Sequence, residues 1–283
     1  MQEFLPNTYP IGAANPCLTC QSGFVYRTSG GNSTRESGQL QLRRRLRSGF
    51  TASVEYTYAK SLDDDAQVGA QGHVTATSAA STNQSGAGPA VAQNWLDLRA
   101  ERELSAFDQR QLLSAQLQYT TGMGMGGRTL MSGWSGRLLK EWTVASQITA
   151  GTGLPETPVF LATVPGTGVT GTIRPSLTGA SIYSAPAGYH LNAAAFTAPA
   201  AGAWGTARRD SIAGPDQFTL NGSMSRTLRL RNPFNLDVRI DGANLLNHGV
   251  FTGWNTVVNS TTFGLPASAG AMRSLQLTGR LRF

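Results

Sequence analysis

Six stretches of this chain alternate apolar and polar residues, and a weaker seventh joins them. A period of two is the mark of an extended strand with two unlike faces. In 38–47, Leu40, Leu42 and Leu46 alternate with Gln39, Gln41, Arg43, Arg45 and Arg47. In 50–60, Phe50, Ala52, Val54, Tyr56 and Tyr58 alternate with Thr51, Ser53, Glu55 and Thr57. The same pattern runs through 110–121, 218–231, 234–246 and 273–283, and more weakly through 137–150. Most of these runs hold ten residues or more. A globular strand averages ~5–6 residues, whereas a strand that crosses a bilayer needs ~9–11. The predicted class is therefore all-β: an antiparallel transmembrane β-barrel portion of about seven or eight long strands.

The connections support this class. Ser48-Gly49 and Asn232-Pro233 are tight links, and the Gly-rich segment 122–134 is a fairly short one. The intervening connections, 61–109, 151–217 and 247–272, are long. Short periplasmic turns alternating with long extracellular loops are the outer-membrane barrel pattern. In a soluble β-sandwich, the other all-β reading, structureless loops of this length argue against the strands themselves. The loops are rich in Gly, Ala, Ser, Thr and Pro, which predicts mobility. Within them Trp95–Phe107 is dense in charge, and reads as a short helix or a charged clasp at the barrel mouth.

Only 14% of residues are charged, against ~25% in typical soluble domains. No apolar run approaches the ~18 residues of a membrane-spanning helix. The net charge is +7, and all but Lys60 and Lys140 of the 23 basic residues are arginines. Arg43, Arg44, Arg45 and Arg47 form the densest cluster. Alternation puts Arg43, Arg45 and Arg47 on the polar face and leaves only Arg44 toward lipid, near the short-turn end. No aromatic stacking platform accompanies them, so no nucleic-acid partner is expected.

Other local signals have bland readings. Cys17 and Cys20 lack a second ligand pair for zinc, and read as a small loop disulfide or two free thiols. Gly122-x-Gly124-x-x-Gly127 precedes a strand rather than a helix, which makes it a turn and not a dinucleotide fingerprint. Asp63-Asp64-Asp65 lacks the Gly and Glu of a calcium loop and reads as a solvated acidic tip. The three histidines and the carboxylates form no catalytic or metal motif, so no enzyme activity, cofactor or metal is expected. Tyr56, Tyr58, Tyr119 and Trp142 are candidates for an aromatic girdle at the membrane interface. Met1–Pro6 has neither the basic nor the apolar region of a signal peptide. Residues 1–36 are predicted irregular, with a partial eighth strand at 24–28, and 37–283 is predicted to be barrel.

Several stretches together resemble a known family. They are Gly31-Asn32-Ser33-Thr34 with the strand Leu40–Arg47, Tyr56–Asp63, Asp97–Arg102 with Phe107–Arg110, Trp204–Ile212 with Gly214-Pro215, Ala243–His248, and Leu275–Phe283. In order and spacing they resemble the C-terminal barrel of a TonB-dependent receptor of the Oar-like branch, in which a carboxypeptidase-regulatory-like domain precedes plug and barrel. The likeness covers about 24–283. It implies the outer membrane, capture of a ligand by the extracellular loops, and passage through the lumen. The implied partners are outer-membrane lipid, the barrel assembly machinery and the TonB complex. The last is reached only through a plug and TonB box that this sequence lacks, so the chain is expected to be a fragment and inactive alone. Phe283, with Leu281 and Leu277 in register, resembles the C-terminal assembly signal of such barrels. The alternatives are a small self-closing barrel and a structural or adhesive surface barrel. The residues do not identify a ligand.

Overall fold

The computed structural model describes residues 2–5, 24–27, 31–47, 49–64, 91–92, 97–122, 133–161, 172–200, 203–230 and 234–283. Its centre is one antiparallel sheet of seven long strands. They are β1 (Ser33–Arg47), β2 (Phe50–Asp63), β3 (Gln111–Thr120), β4 (Thr143–Gly151), β5 (Gln217–Arg229), β6 (Asn235–Ala243) and β7 (Ser274–Arg282). Spatial order follows chain order, so every strand pairs with its sequence neighbours. The two-residue strand Glu103–Leu104 adds to the end of β2.

Register carries the sequence alternation across the sheet. Leu42, Val54, Ala115, Ile148 and Leu220 stand opposite one another in one apolar row. One residue along lies the polar row Arg43, Ser53, Gln116, Gln147 and Asn221. A slip of one residue would put every leucine on the wrong face, so the pattern itself pins the register.

Most of the apolar face is not packed against protein. Leu42 is 59% exposed and Leu277 73% exposed. A soluble sheet hides such a face beneath a second layer, and none covers it among the described residues. The protein's packed core lies elsewhere, in the long loops. Leu191, Phe196, Ile212, Trp254, Val258 and Phe263 form a buried cluster there. The described parts of 151–217 and 247–272 therefore make a folded cap at the long-loop end of the sheet, where mobile loops were predicted.

Four further expectations need correction. The strand predicted over 137–150 begins at Thr143, because Gly133–Leu139 is a short helix, α1. Phe24–Arg27 is a strand, but it pairs with Gln2–Leu5, which also meets Val91–Ala92. Its backbone hydrogen bonds are made in that separate small sheet, so it is not an eighth wall strand. The barrel wall also starts at Ser33 rather than 37. Finally, a bulge between Arg44 and Arg47 inserts one residue into β1, and Arg47 comes opposite Phe50 instead of joining the polar row. The extra residue shifts the parity of everything after it.

The long-loop end has its own lock. Gly222 of β5 and Gly242 of β6 are cross-strand partners on the apolar parity. Leu245 folds back over both, and a Cβ on Gly242 would lie 2.3 Å from its Cδ2. The chain reverses through Asn244, whose φ is +47°. The Asn244 side chain donates to the carbonyls of His248 and Ala271 and accepts from the His248 N–H. The stretch Ala243–His248 thus closes β6 and starts the last loop.

Candidate functional site

The polar face of the sheet forms a trough of about 810 Å³. Its floor is the row Ser53, Gln116, Gln147 and Asn221, with Gln118 and Ser223 in the next row. Strands lie ~4.8 Å apart, so these amides and hydroxyls form a ladder of donors and acceptors across the wall. Arg43 and Arg45 line one flank, and neither has an ion-pair partner among the described residues. On the other flank Arg239 is held by both carboxylate oxygens of Asp241, its Nε lying 2.8 Å from each. Nearer the short-turn end Thr227 donates to Asp237 at 2.7 Å, and Arg282 pairs with the same carboxylate. Such a surface keeps water or polar chains and rejects lipid. Arg44 leaves the polar row, as Arg47 does beyond the bulge. It stands on the apolar parity with its guanidinium 5.2 Å from the Phe50 ring centre.

At the long-loop end the cap is tied to the wall by buried charge. Arg209 Nη2 donates to the carbonyl and to Oδ1 of Asp63, both at 2.6 Å, and Nε donates to the Glu101 carbonyl. Asp63 is buried, which corrects the expectation of a solvated tip. The sequence hides this pairing because the partners are 146 residues apart. Asp64 accepts from the Asn32 N–H, and Asp65 lies outside the described residues. Arg174 pairs with Glu101, and Arg208 with Glu103. Of the charged stretch Trp95–Phe107, expected as a short helix or a clasp, the described residues hold a 3-10 turn at Leu98–Glu101 and the acidic partners of the clasp. Gly205 allows the close approach this needs, since a Cβ there would sit 2.0 Å from the Arg174 carbonyl oxygen.

Deeper in the cap lie two carboxyls that local motifs did not reveal. Glu156 pairs with Ile212 in a short antiparallel bridge. Both its carboxylate oxygens lie 3.1 Å from the Trp254 N–H. Burial pushes its pKa up to about 8; the Trp254 hydrogen bond opposes this, and the Asp210 charge adds to it. Asp210 is raised to about 6, again chiefly by burial, against the pull of Arg209 and of its hydrogen bond from Thr157. His190 stacks on the Trp254 ring at 4.1 Å. Among the described residues no cluster of His, Cys, Asp or Glu is arranged to hold a metal ion.

The remaining predicted residues fall as follows. Tyr56 and Tyr58 stand near the cap end, with Tyr58 51% exposed, and Phe50, Tyr119, Trp142 and Phe234 mark the opposite end. Leu277 and Leu281 face Ile240 and Leu236 in the apolar rows of β7, and Phe283 follows, exposed. Cys17, Cys20, Trp95, Ser48, Asn232, Pro233, Gly124 and Gly127 lie outside the described residues.

A lipid-ready face, a polar trough behind it and a folded cap at one end define the wall of an outer-membrane barrel. The chain belongs to the family described as outer membrane beta barrel domain, which it matches over residues 5–276. Neither a curated protein nor a solved structure matches it.

Proposed function

We propose that this chain is a segment of the barrel wall of a TonB-dependent receptor of the Oar-like branch. In this reading the cap takes part in capturing a ligand from outside, and the trough is part of the lumen through which it passes. The role is one of binding and passage, without catalysis. What supports it most is the cap. A barrel that served only as a membrane plug would gain nothing from ordering two long loops around buried ion pairs. The stretches that resemble the family also have definite work in the fold: Trp204–Ile212 supplies Arg208 and Arg209 to the clasp, and Ala243–His248 closes β6. Phe283 with Leu281 and Leu277 is assigned to recognition by the barrel assembly machinery.

The test uses an antibody to the 247–272 loop on fractionated source membranes, with the periplasmic domain of TonB as bait. An outer-membrane band far above 29.9 kDa, retained by the bait, is expected. A band near that mass that the bait does not retain overturns the reading.

A further inference from the structure

α1 (Gly133–Leu139) has no role in the reading above, and its setting is unusual. Arg226 of β5 stands on the apolar parity, opposite Val238 and between the rows of Met224 and Leu228. An arginine on a lipid face is costly unless it finds partners. Here its guanidinium donates to the carbonyls of Arg137 and Leu138, at the C-terminal end of α1, and lies 5.6 Å from the Trp142 ring centre. The helix is therefore on the outside of the wall, not in the trough.

The carbonyls at this end of the helix have further partners. The Trp142 indole N–H donates to the Leu138 carbonyl at 2.9 Å, and the Thr121 hydroxyl donates to the Leu139 carbonyl. The last carbonyls of a helix need such partners wherever water is scarce. With its polar end tied down, α1 turns apolar side chains outward: Trp134 is 79% exposed, Leu138 59% and Leu139 48%. These lie at the short-turn end of the sheet, level with the ring of outward aromatics Phe50, Tyr119, Trp142 and Phe234. Arg137 and Lys140 flank them with positive charge. At seven residues α1 is far too short to cross a bilayer. Its exposed apolar surface continues the lipid-facing wall at the level where Trp and basic residues seat in head groups.

We propose that α1 is a membrane-surface anchor, with Trp134, Leu138 and Leu139 seated in the periplasmic phospholipid leaflet of the outer membrane. Lipid takes up the indole and the two leucines. Arg137 and Lys140 meet the phosphates. The strut from Arg226 fixes the depth of the helix against the wall.

The test compares wild type with Trp134→Phe, each reconstituted in phospholipid vesicles from the complete protein that carries this chain. Wild-type minus variant emission isolates Trp134 from the other tryptophans. The variant keeps its fold, because Trp134 is mostly exposed and phenylalanine keeps an aromatic ring there, and retained heat-modifiable migration on gels verifies this. The expected result is a blue-shifted difference signal, quenched strongly by lipids brominated near the head group, less by lipids brominated near the chain end, and protected from aqueous iodide. A signal quenched by iodide and indifferent to brominated lipid places α1 in periplasmic water and overturns the proposal. A signal that neither agent quenches places Trp134 against protein, and overturns it equally.

Discussion

Replacing Glu156 by glutamine removes the least favourably placed charge in the cap and should change its pH dependence in a defined direction. The carboxyl has an ordinary value of 4.5 and is pushed up to about 8 where it lies beneath Trp254, chiefly by burial. A carboxyl raised on folding leaves stability intact below its unfolded value and withdraws it as pH climbs through the folded one. The cap is therefore tightest in acid and loosens toward pH 8. Complete ionisation costs about 5 kcal/mol at ~1.36 kcal/mol per pH unit, and the interval from pH 5 to pH 8 accounts for about 3.5 kcal/mol of it. A glutamine keeps an oxygen for the Trp254 N–H and has no charge to lose. The assay is hydrogen exchange at the Trp254 amide, corrected for the intrinsic rate. Wild type should lose a few-hundred-fold in protection between pH 5 and pH 8. In Glu156→Gln the fall should shrink to what Asp210 contributes, and that part should be complete soon after pH 6, since Asp210 is raised only to about 6. Identical profiles in the two proteins would refute the reasoning.

Five other substitutions probe the wall and the clasp. Arg209→Ala leaves Asp63 buried without its partner, which costs about 3–5 kcal/mol; limited proteolysis should cut the cap while the sheet keeps its heat-modifiable migration. Gly242→Ala drives a methyl into Leu245 and should cost about 1–3 kcal/mol in urea unfolding from vesicles. The same change should be almost neutral in a Leu245→Ala background, where the methyl has room. Leu277→Arg in the middle of β7 should cost about 2–4 kcal/mol in folding into vesicles, whereas Thr278→Arg, one residue along and facing the trough, should fold with near wild-type yield.

The wall was legible in the sequence because a barrel strand states its two solvents residue by residue. Leu236, Val238 and Ile240 against Asp237, Arg239 and Asp241 need no partner to be read. The bulge at Arg44–Arg47 was hidden because a run of arginines has no polarity contrast to show the shift in parity. The cap was not legible for a different reason. Its core gathers Leu191, Ile212, Trp254 and Phe263 from two loops, with strands of only two to four residues and no period between them. The clasp was half visible: the charge density of 97–107 announced it, but Asp63 and Arg209 announce themselves only as isolated charges. α1 escaped because Gly-Trp-Ser-Gly-Arg-Leu-Leu is too short for a helical period and holds two glycines. Its C-terminal end is fixed by Arg226, Trp142 and Thr121 from other elements, not by local signals.

The central claim is that one face of this sheet meets lipid and the other a polar lumen. Nitroxide labels placed singly at 235 through 242 along β6, in the membrane-inserted protein, test it most directly. Power saturation by oxygen should peak at positions 236, 238 and 240, and saturation by an aqueous nickel complex should peak at 237, 239 and 241. Equal access of both reagents along the strand, or aqueous access at 236, 238 and 240, would contradict it.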